Sequence, residues 1–305
     1  MHARFGHVLT AMVTPFDENG KLDLDAARDL AKWLVDNGND GLVVAGTTGE
    51  APTLTDDEKL SLWAAVAEAV TVPVIAGAGT NDTAHSVRLT MEASKLGVSG
   101  ILAVGPYYNR PSQAGMEGHM RAIAAATDLP VVMYDIPIRT GRKMTTATLL
   151  RLARDVSNIV ALKDAAGNPG ETAALISSAP DGFEVYSGDD MMTLPLLASG
   201  VVGVVGVATA WTGSDHQEMF KLWAKGDTEG ARLVNARMLE SFAFETGDEA
   251  PNPIPTKAML RTVFGLPVGE ARLPMGDAPD WVEPRAREVW ANLQRWRDAW
   301  PSRPV

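Results

Sequence analysis

Apolar and polar positions along this chain repeat in one unit. Short, almost wholly apolar and β-branched runs recur: HVLTAMVTPF from His7, GLVVAG from Gly41, VPVIAGAG from Val72, GILAVGP from Gly100, PVVMYDIP from Pro130, IVALKDAA from Ile159, FEVYSGDD from Phe183 and VVGVVGVAT from Val201. Runs with so little alternation suit parallel strands covered on both faces. Amphipathic stretches with helix punctuation separate them. LDAARDLAKWLVDNG ends at Gly38, suited to a left-handed helix end. TDDEKLSLWAAVAEAV opens with Thr55 and Glu58 at capping-box spacing. TAHSVRLTMEASKLG ends at Gly97, and TTATLLRLARD follows the fifth run. Eight βα units in about 220 residues predict a closed (β/α)8 TIM barrel, an α/β fold. A doubly wound sheet is the alternative, disfavoured by even spacing and the lack of a dinucleotide fingerprint.

The rhythm stops near Trp223. Residues 226–305 read as helices only, which predicts a catalytic barrel over 1–225 and an all-helical C-terminal extension packed on it over 226–305. Five of the eight tryptophans lie at or beyond Trp223, where packing onto the barrel or a partner is their expected role.

Composition narrows the function. The 305 residues are 46% hydrophobic and 21% charged, as in a folded domain. A net charge of −11 repels phosphate backbones and anionic lipid surfaces, so neither nucleic acid nor membrane is an expected partner. Cysteine is absent, which removes disulfides, thiolate nucleophiles and cysteine-bound metal clusters. His2, His7, His85, His119 and His216 have no metal-ligand spacing, so no metal is expected. The first residues lack a leader pattern, and no run reaches the ~18 apolar residues of a membrane span. The expectation is a cytoplasmic protein.

Candidate chemistry sits where polar residues interrupt strand ends, since barrel active sites lie at the C-terminal ends of strands. In IVALKDAA, alternation puts Ile159, Ala161 and Lys163 on one face. If that face is the interior, desolvation disfavours the ammonium and leaves an amine able to form a Schiff base with a carbonyl. The competing reading is a strand-end lysine reaching solvent or paired with Asp164. Tyr134 ends the fifth run and could move protons, and Arg139 in the next loop could grip a carboxylate. A core tyrosine and a solvated arginine are the plain alternatives. In GTTGE, Thr47 and Thr48 between Gly46 and Gly49 offer hydroxyls and backbone N–H groups, a small carboxylate cradle or merely a capping turn. Tyr107 and Tyr108 are two of only four tyrosines, and could stack at the surface or cross an interface.

AMVTPF, GTTGE, PYYNRPSQ, YDIPIRTG, ALKDAAGN, YSGDD and NPIPTK stand in an order and spacing that resemble the dihydrodipicolinate synthase / N-acetylneuraminate lyase family across essentially the whole chain. The resemblance implies a pyruvate-dependent enzyme with Lys163 as Schiff-base lysine and no external cofactor. It implies Tyr134 as proton-transfer residue, Thr47 and Thr48 holding the pyruvate carboxylate, and Val205 offering a backbone carbonyl nearby. Thr48 would link Tyr134 to Tyr108, which would reach in from a neighbouring subunit of a homotetramer built from dimers. Arg139 is similar to the synthase branch, so the expected reaction is condensation of pyruvate with L-aspartate 4-semialdehyde in lysine and diaminopimelate biosynthesis. Cleavage of a sugar-derived 2-oxo acid, such as N-acetylneuraminate or a 2-keto-3-deoxy acid, is the alternative. Asp135, Gly105 and Gly206 depart from the common synthase residues. Lysine-inhibited members resemble one another in using His and Glu near the dimer interface. The matching positions here are Asp56, Lys59 and His85, with Asn81 retained, which implies weak inhibition or none. The plain alternative is that Lys59 is simply a solvated residue pairing with Asp56 at i,i+3.

Overall fold

In the computed structural model, described over residues 3–299, the eight apolar runs form eight parallel strands hydrogen-bonded in sequence order into a closed barrel. His2 lies outside the described residues. The strands are β1 Val8–Ala11, β2 Gly41–Val44, β3 Val74–Gly77, β4 Gly100–Val104, β5 Val131–Asp135, β6 Ile159–Asp164, β7 Glu184–Ser187 and β8 Gly203–Gly206. Pairing of β1 with both β2 and β8 closes the ring.

Helices follow the strands: α1 Leu24–Asp36, α2 Asp56–Ala69, α3 Thr83–Ala93, α4 Gln113–Ala124, the short α5 Pro137–Thr140, α6 Thr146–Asp155, α7 Pro169–Ser178, α8 Thr193–Leu197 and α9 Thr209–Ala224. The capping box of α2 forms, with the Thr55 hydroxyl accepting the Glu58 N–H and the Glu58 carboxylate accepting the Thr55 N–H. Gly38 takes the left-handed conformation just past α1.

Two apolar layers result. Leu9, Val43, Ile75, Leu102, Val132 and Val205 fill the barrel interior with Ala161 and Tyr186, and a larger cluster fills the space between strands and helices. Full burial of one such aliphatic side chain is worth ~1.5–3 kcal/mol. One part of the expected alternation fails. A register shift between Val131 and Val132 pairs Val131 with Ile159 but Val132 with Ala161. Ile159 therefore joins the outer layer, whereas Ala161 lies in the interior layer.

Beyond α9 the chain is helical: α10 Thr228–Glu245, α11 Ile254–Phe264 and α12 Val282–Asp298. Phe264 of α11 contacts Trp33 of α1 and Trp290 of α12 at centroid distances of 4.8 and 4.7 Å, so aromatic packing joins this region to the barrel. Asp215 of α9, 1% exposed, is ion-paired with both Arg237 of α10 and Arg297 of α12. Arg272 pairs with Glu58 at 2.6 Å and holds that carboxyl down at about 2.

Candidate active site

The barrel's pairing sets the central contact. Tyr134 and Lys163 are register partners on β5 and β6. Both are buried, and Lys163 Nζ stands 4.4 Å from the Tyr134 ring centroid. Lys163 is thus neither a solvated strand-end lysine nor an ion-pair partner of Asp164, whose carboxylate accepts the Thr172 hydroxyl at 2.6 Å and the Ala166 N–H at 2.9 Å.

The turn after β2 bends sharply through Ala45, at φ 54°, and Glu50, at φ 57°. Thr47 and Thr48 ride on this turn, and Thr48 is buried. The Thr48 hydroxyl accepts the Asn252 side-chain N–H at 2.8 Å, and the Thr256 hydroxyl donates to Asn252 Oδ1 at 3.0 Å. Glu50, next along the turn, pairs at 2.8 Å with Lys257, both side chains being almost fully buried. Glu50 also accepts the Arg272 backbone N–H at 2.8 Å. The NPIPTK segment therefore clamps the GTTGE turn from about 200 residues away. Asn252 and Lys257 were not candidate site residues in the sequence; the signal was their place in the NPIPTK motif, Asn252 just before α11 and Lys257 in its first turn.

A cavity of about 390 Å³ opens at this end of the barrel. Thr47, Tyr134, Tyr107 and Arg139 line it, together with Lys59 and His85 further out. Thr48, Lys163 and Val205 do not line it, lying instead in the packed shell at its base. Arg139 is exposed on α5 and has no ion-pair partner among the described residues. Tyr107 is half-buried, and burial raises its hydroxyl pKa. Tyr108 is not brought to this chain's cavity. It is 89% exposed, with left-handed backbone at φ 72°.

The outer cavity rules out the plain alternative for Lys59. Lys59 is buried, 5% exposed, rather than solvated, and burial lowers its pKa against the opposing pull of Asp56. The ion-pair partner of Asp56 is His85, whose Nε2 lies 2.8 and 3.0 Å from the two carboxylate oxygens.

A closed (β/α)8 barrel with a buried amine stacked on a phenol at its C-terminal mouth has the parts of a carbonyl-handling barrel enzyme. The chain belongs to the dihydrodipicolinate synthetase family, which it matches over residues 4–289. It is 51% identical to the 4-hydroxy-tetrahydrodipicolinate synthase of Moorella thermoacetica, over 89% of this chain and 92% of that protein. Identity to the enzyme of that name from Bacillus subtilis is 46%, over 89% and 93%. Among solved structures, dihydrodipicolinate synthase DapA-2 from Bacillus anthracis superposes with a TM-score of 0.91 at 41% identity, covering 96% of this chain and 99% of that one. The lysine-bound enzyme from Cyanidioschyzon merolae gives 0.92 at 43% identity, covering 95% and 98%.

Proposed function

We propose that this chain is a 4-hydroxy-tetrahydrodipicolinate synthase, a lyase that condenses pyruvate with L-aspartate 4-semialdehyde in lysine and diaminopimelate biosynthesis. The observation that carries the reading is the buried Lys163 stacked 4.4 Å from Tyr134 beside a cavity edged by Arg139.

The Lys163 amine adds to the C2 carbonyl of pyruvate, and loss of water from the carbinolamine leaves an iminium. Loss of a C3 proton gives the enamine, whose C3 attacks the aldehyde carbon. The amino group of the aldehyde substrate then adds to the iminium carbon and expels the Lys163 amine, which closes the ring of the product and regenerates the free lysine. No external cofactor is needed, because the iminium itself accepts the electron pair. In this reading Tyr134 carries protons between these stages and Thr48 serves it as relay. Thr47 and the turn's N–H groups hold the pyruvate carboxylate, with the Val205 carbonyl at the pyruvate end. The unpaired Arg139 guanidinium matches the carboxylate of the aldehyde substrate bidentately.

The site is completed by a second copy of the chain. A non-glycine residue in the left-handed region costs ~1–2 kcal/mol. An exposed tyrosine held there has no return within its own chain, and insertion into a neighbour's site supplies one. A homotetramer built from such dimers is the proposed assembly, and the cytoplasm its location. No described helix is long and apolar enough to cross a membrane.

The test is incubation with pyruvate and borohydride, followed by peptide mapping. The reduced adduct is expected on Lys163; an adduct on Lys143 or Lys257 refutes the assignment. Turnover of aspartate semialdehyde, but not of N-acetylneuraminate or 2-keto-3-deoxy acids, is the matching substrate result.

A further inference from the structure

The Thr48 hydroxyl has one hydrogen and two lone pairs, and the chain around it decides how they are used. Asn252 Nδ2 donates to Thr48 Oγ1 at 2.8 Å, which occupies one lone pair. The amide is held this way round by the Thr256 hydroxyl, which donates to Asn252 Oδ1 at 3.0 Å. Thr256 is fully buried, at 0% exposure. Turning the amide over would therefore strip the Thr256 hydrogen of its acceptor where no water can replace it.

The carbonyls of the same turn are already engaged. Gly46 C=O accepts the Ala51 N–H at 3.1 Å, and Thr47 C=O accepts the Glu50 N–H at 3.0 Å. Gly49 C=O accepts the Thr14 hydroxyl at 2.6 Å. The Thr48 hydrogen is different. It has no acceptor among the described residues, although Thr48 is only 3% exposed. A buried donor left open is unfavourable, and an acceptor on a bound molecule removes the penalty. The neighbouring Thr47 lines the cavity, so the open donor lies at the edge of the candidate active site.

We infer that Asn252 is a positioning residue that keeps the Thr48 hydroxyl a donor toward the reactants, with Thr256 locking the amide that does so. The inference rests on the proposed reaction, which brings acceptors to this place: the pyruvate carboxylate and the Tyr134 phenol oxygen. With Asn252 on one lone pair, Thr48 retains one lone pair and one hydrogen. That is the least a relaying hydroxyl needs, and the hydrogen alone is what a carboxylate needs. A group at position 252 that could only accept would reverse the arrangement. Thr48 would then give its hydrogen away from the site and turn lone pairs toward the reactants, where they repel a carboxylate and cannot pass a proton on.

Asn252→Asp is the test, because it keeps the shape and replaces the donor with an acceptor. Steady-state kinetics at about pH 8, where the new carboxyl is ionised, are compared in two backgrounds. In the parent, Asn252→Asp should lower kcat/KM for pyruvate about tenfold or more. In Thr48→Val, which has no hydroxyl to turn, the same change should cost less than about twofold. A loss carried by KM assigns the hydrogen to the carboxylate, and a loss carried by kcat assigns it to the relay. Equal losses in the two backgrounds overturn the inference, because Asn252 would then act without Thr48. So does an unchanged kcat/KM in the parent. If Asn252→Asp does not fold, Thr256→Val replaces it. That change unlocks the amide and should cost about threefold in the parent and nothing in Thr48→Val. A borohydride adduct on a lysine other than Lys163 refutes the Schiff-base reading instead, whereas unequal losses in the two backgrounds still report the coupling of Asn252 to Thr48.

Discussion

Asp135 should make this protein lose stability between about pH 4 and pH 7. It follows Tyr134 on β5 and lies opposite Asp164 in register. Its Oδ1 accepts the Met144 N–H at 3.2 Å, but its Oδ2 is buried with no hydrogen-bond partner. Asp164, Thr172 and Glu171 face it from β6 and α7 around a cavity of about 10 Å³, room for about one water. Lys143 also faces it but is ion-paired to Glu171. Burial above all, aided by Asp164 and opposed by the Met144 N–H and Lys143, raises Asp135 from 3.8 to about 7.

The sign follows from proton linkage. Between those two values the folded chain holds a proton that the unfolded chain has released, so raising the pH favours unfolding. The stability present at low pH is lost progressively up to about pH 7 and the loss is complete above it. At 1.36 kcal/mol per pH unit, the loss is at most ~4 kcal/mol per chain. Asp135→Asn cannot ionise and keeps the shape. Its advantage over the parent should be smallest near pH 4 and grow to a plateau above about pH 7. At ~2 °C per kcal/mol, the Tm gap reaches at most ~8 °C. Thermal unfolding of both proteins at a series of pH values measures it. A Tm gap that is constant across this range would refute the reasoning, because it would show that Asp135 is already ionised in the folded chain at the low end.

The remaining predictions concern the proposed chemistry. Tyr134→Phe should keep pyruvate adduct formation and lose ~10²–10⁴-fold in kcat; near-normal kcat would remove Tyr134 from proton transfer. Arg139→Ala should raise KM for the aldehyde while sparing the pyruvate adduct, and unchanged kinetics would point to the sugar-acid lyases instead. Mixing inactive Tyr108→Phe and Lys163→Ala chains should restore part of the activity through hybrid dimers, and no recovery after verified exchange would contradict a shared site. L-Lysine should inhibit weakly or not at all, because buried Lys59 repels both ammonium groups and His85 already occupies Asp56; saturable inhibition at micromolar lysine would show otherwise.

Much of the barrel was legible because its signal is local. Each strand announces itself as an apolar run, and Thr55 with Glu58 or Gly38 marks a helix end within one turn of chain. Lys163 stood out for the same reason, as a charge in a run that should have none. What the pattern could not carry was pairing across the fold. Ile159 changes layer because of a register shift against β5, which no periodicity within β6 reveals. Asp56 and Lys59 have ion-pair spacing, yet Asp56 takes His85 from α3, since packing α2 against its neighbour buries Lys59 and brings the imidazole within reach.

The same limit hid the residues that hold the site in shape. Thr48 reads as half of a short polar turn, but its partner Asn252 is 204 positions away, and Glu50 finds Lys257 in the first turn of α11, just beyond Asn252. Glu245 ends α10 and is 5% exposed, a burial that raises its carboxyl pKa and that no pattern within the helix announces. In each case the local pattern supplies the group, and barrel closure followed by docking of the last helices supplies its partner. A buried ion pair such as Glu50–Lys257 gives little net stability over an apolar pair, and removing one member costs ~3–5 kcal/mol. The pair does tie α11 to the GTTGE turn that carries Thr47 and Thr48. The helical extension is therefore part of the site's geometry, although none of its described residues lines the cavity.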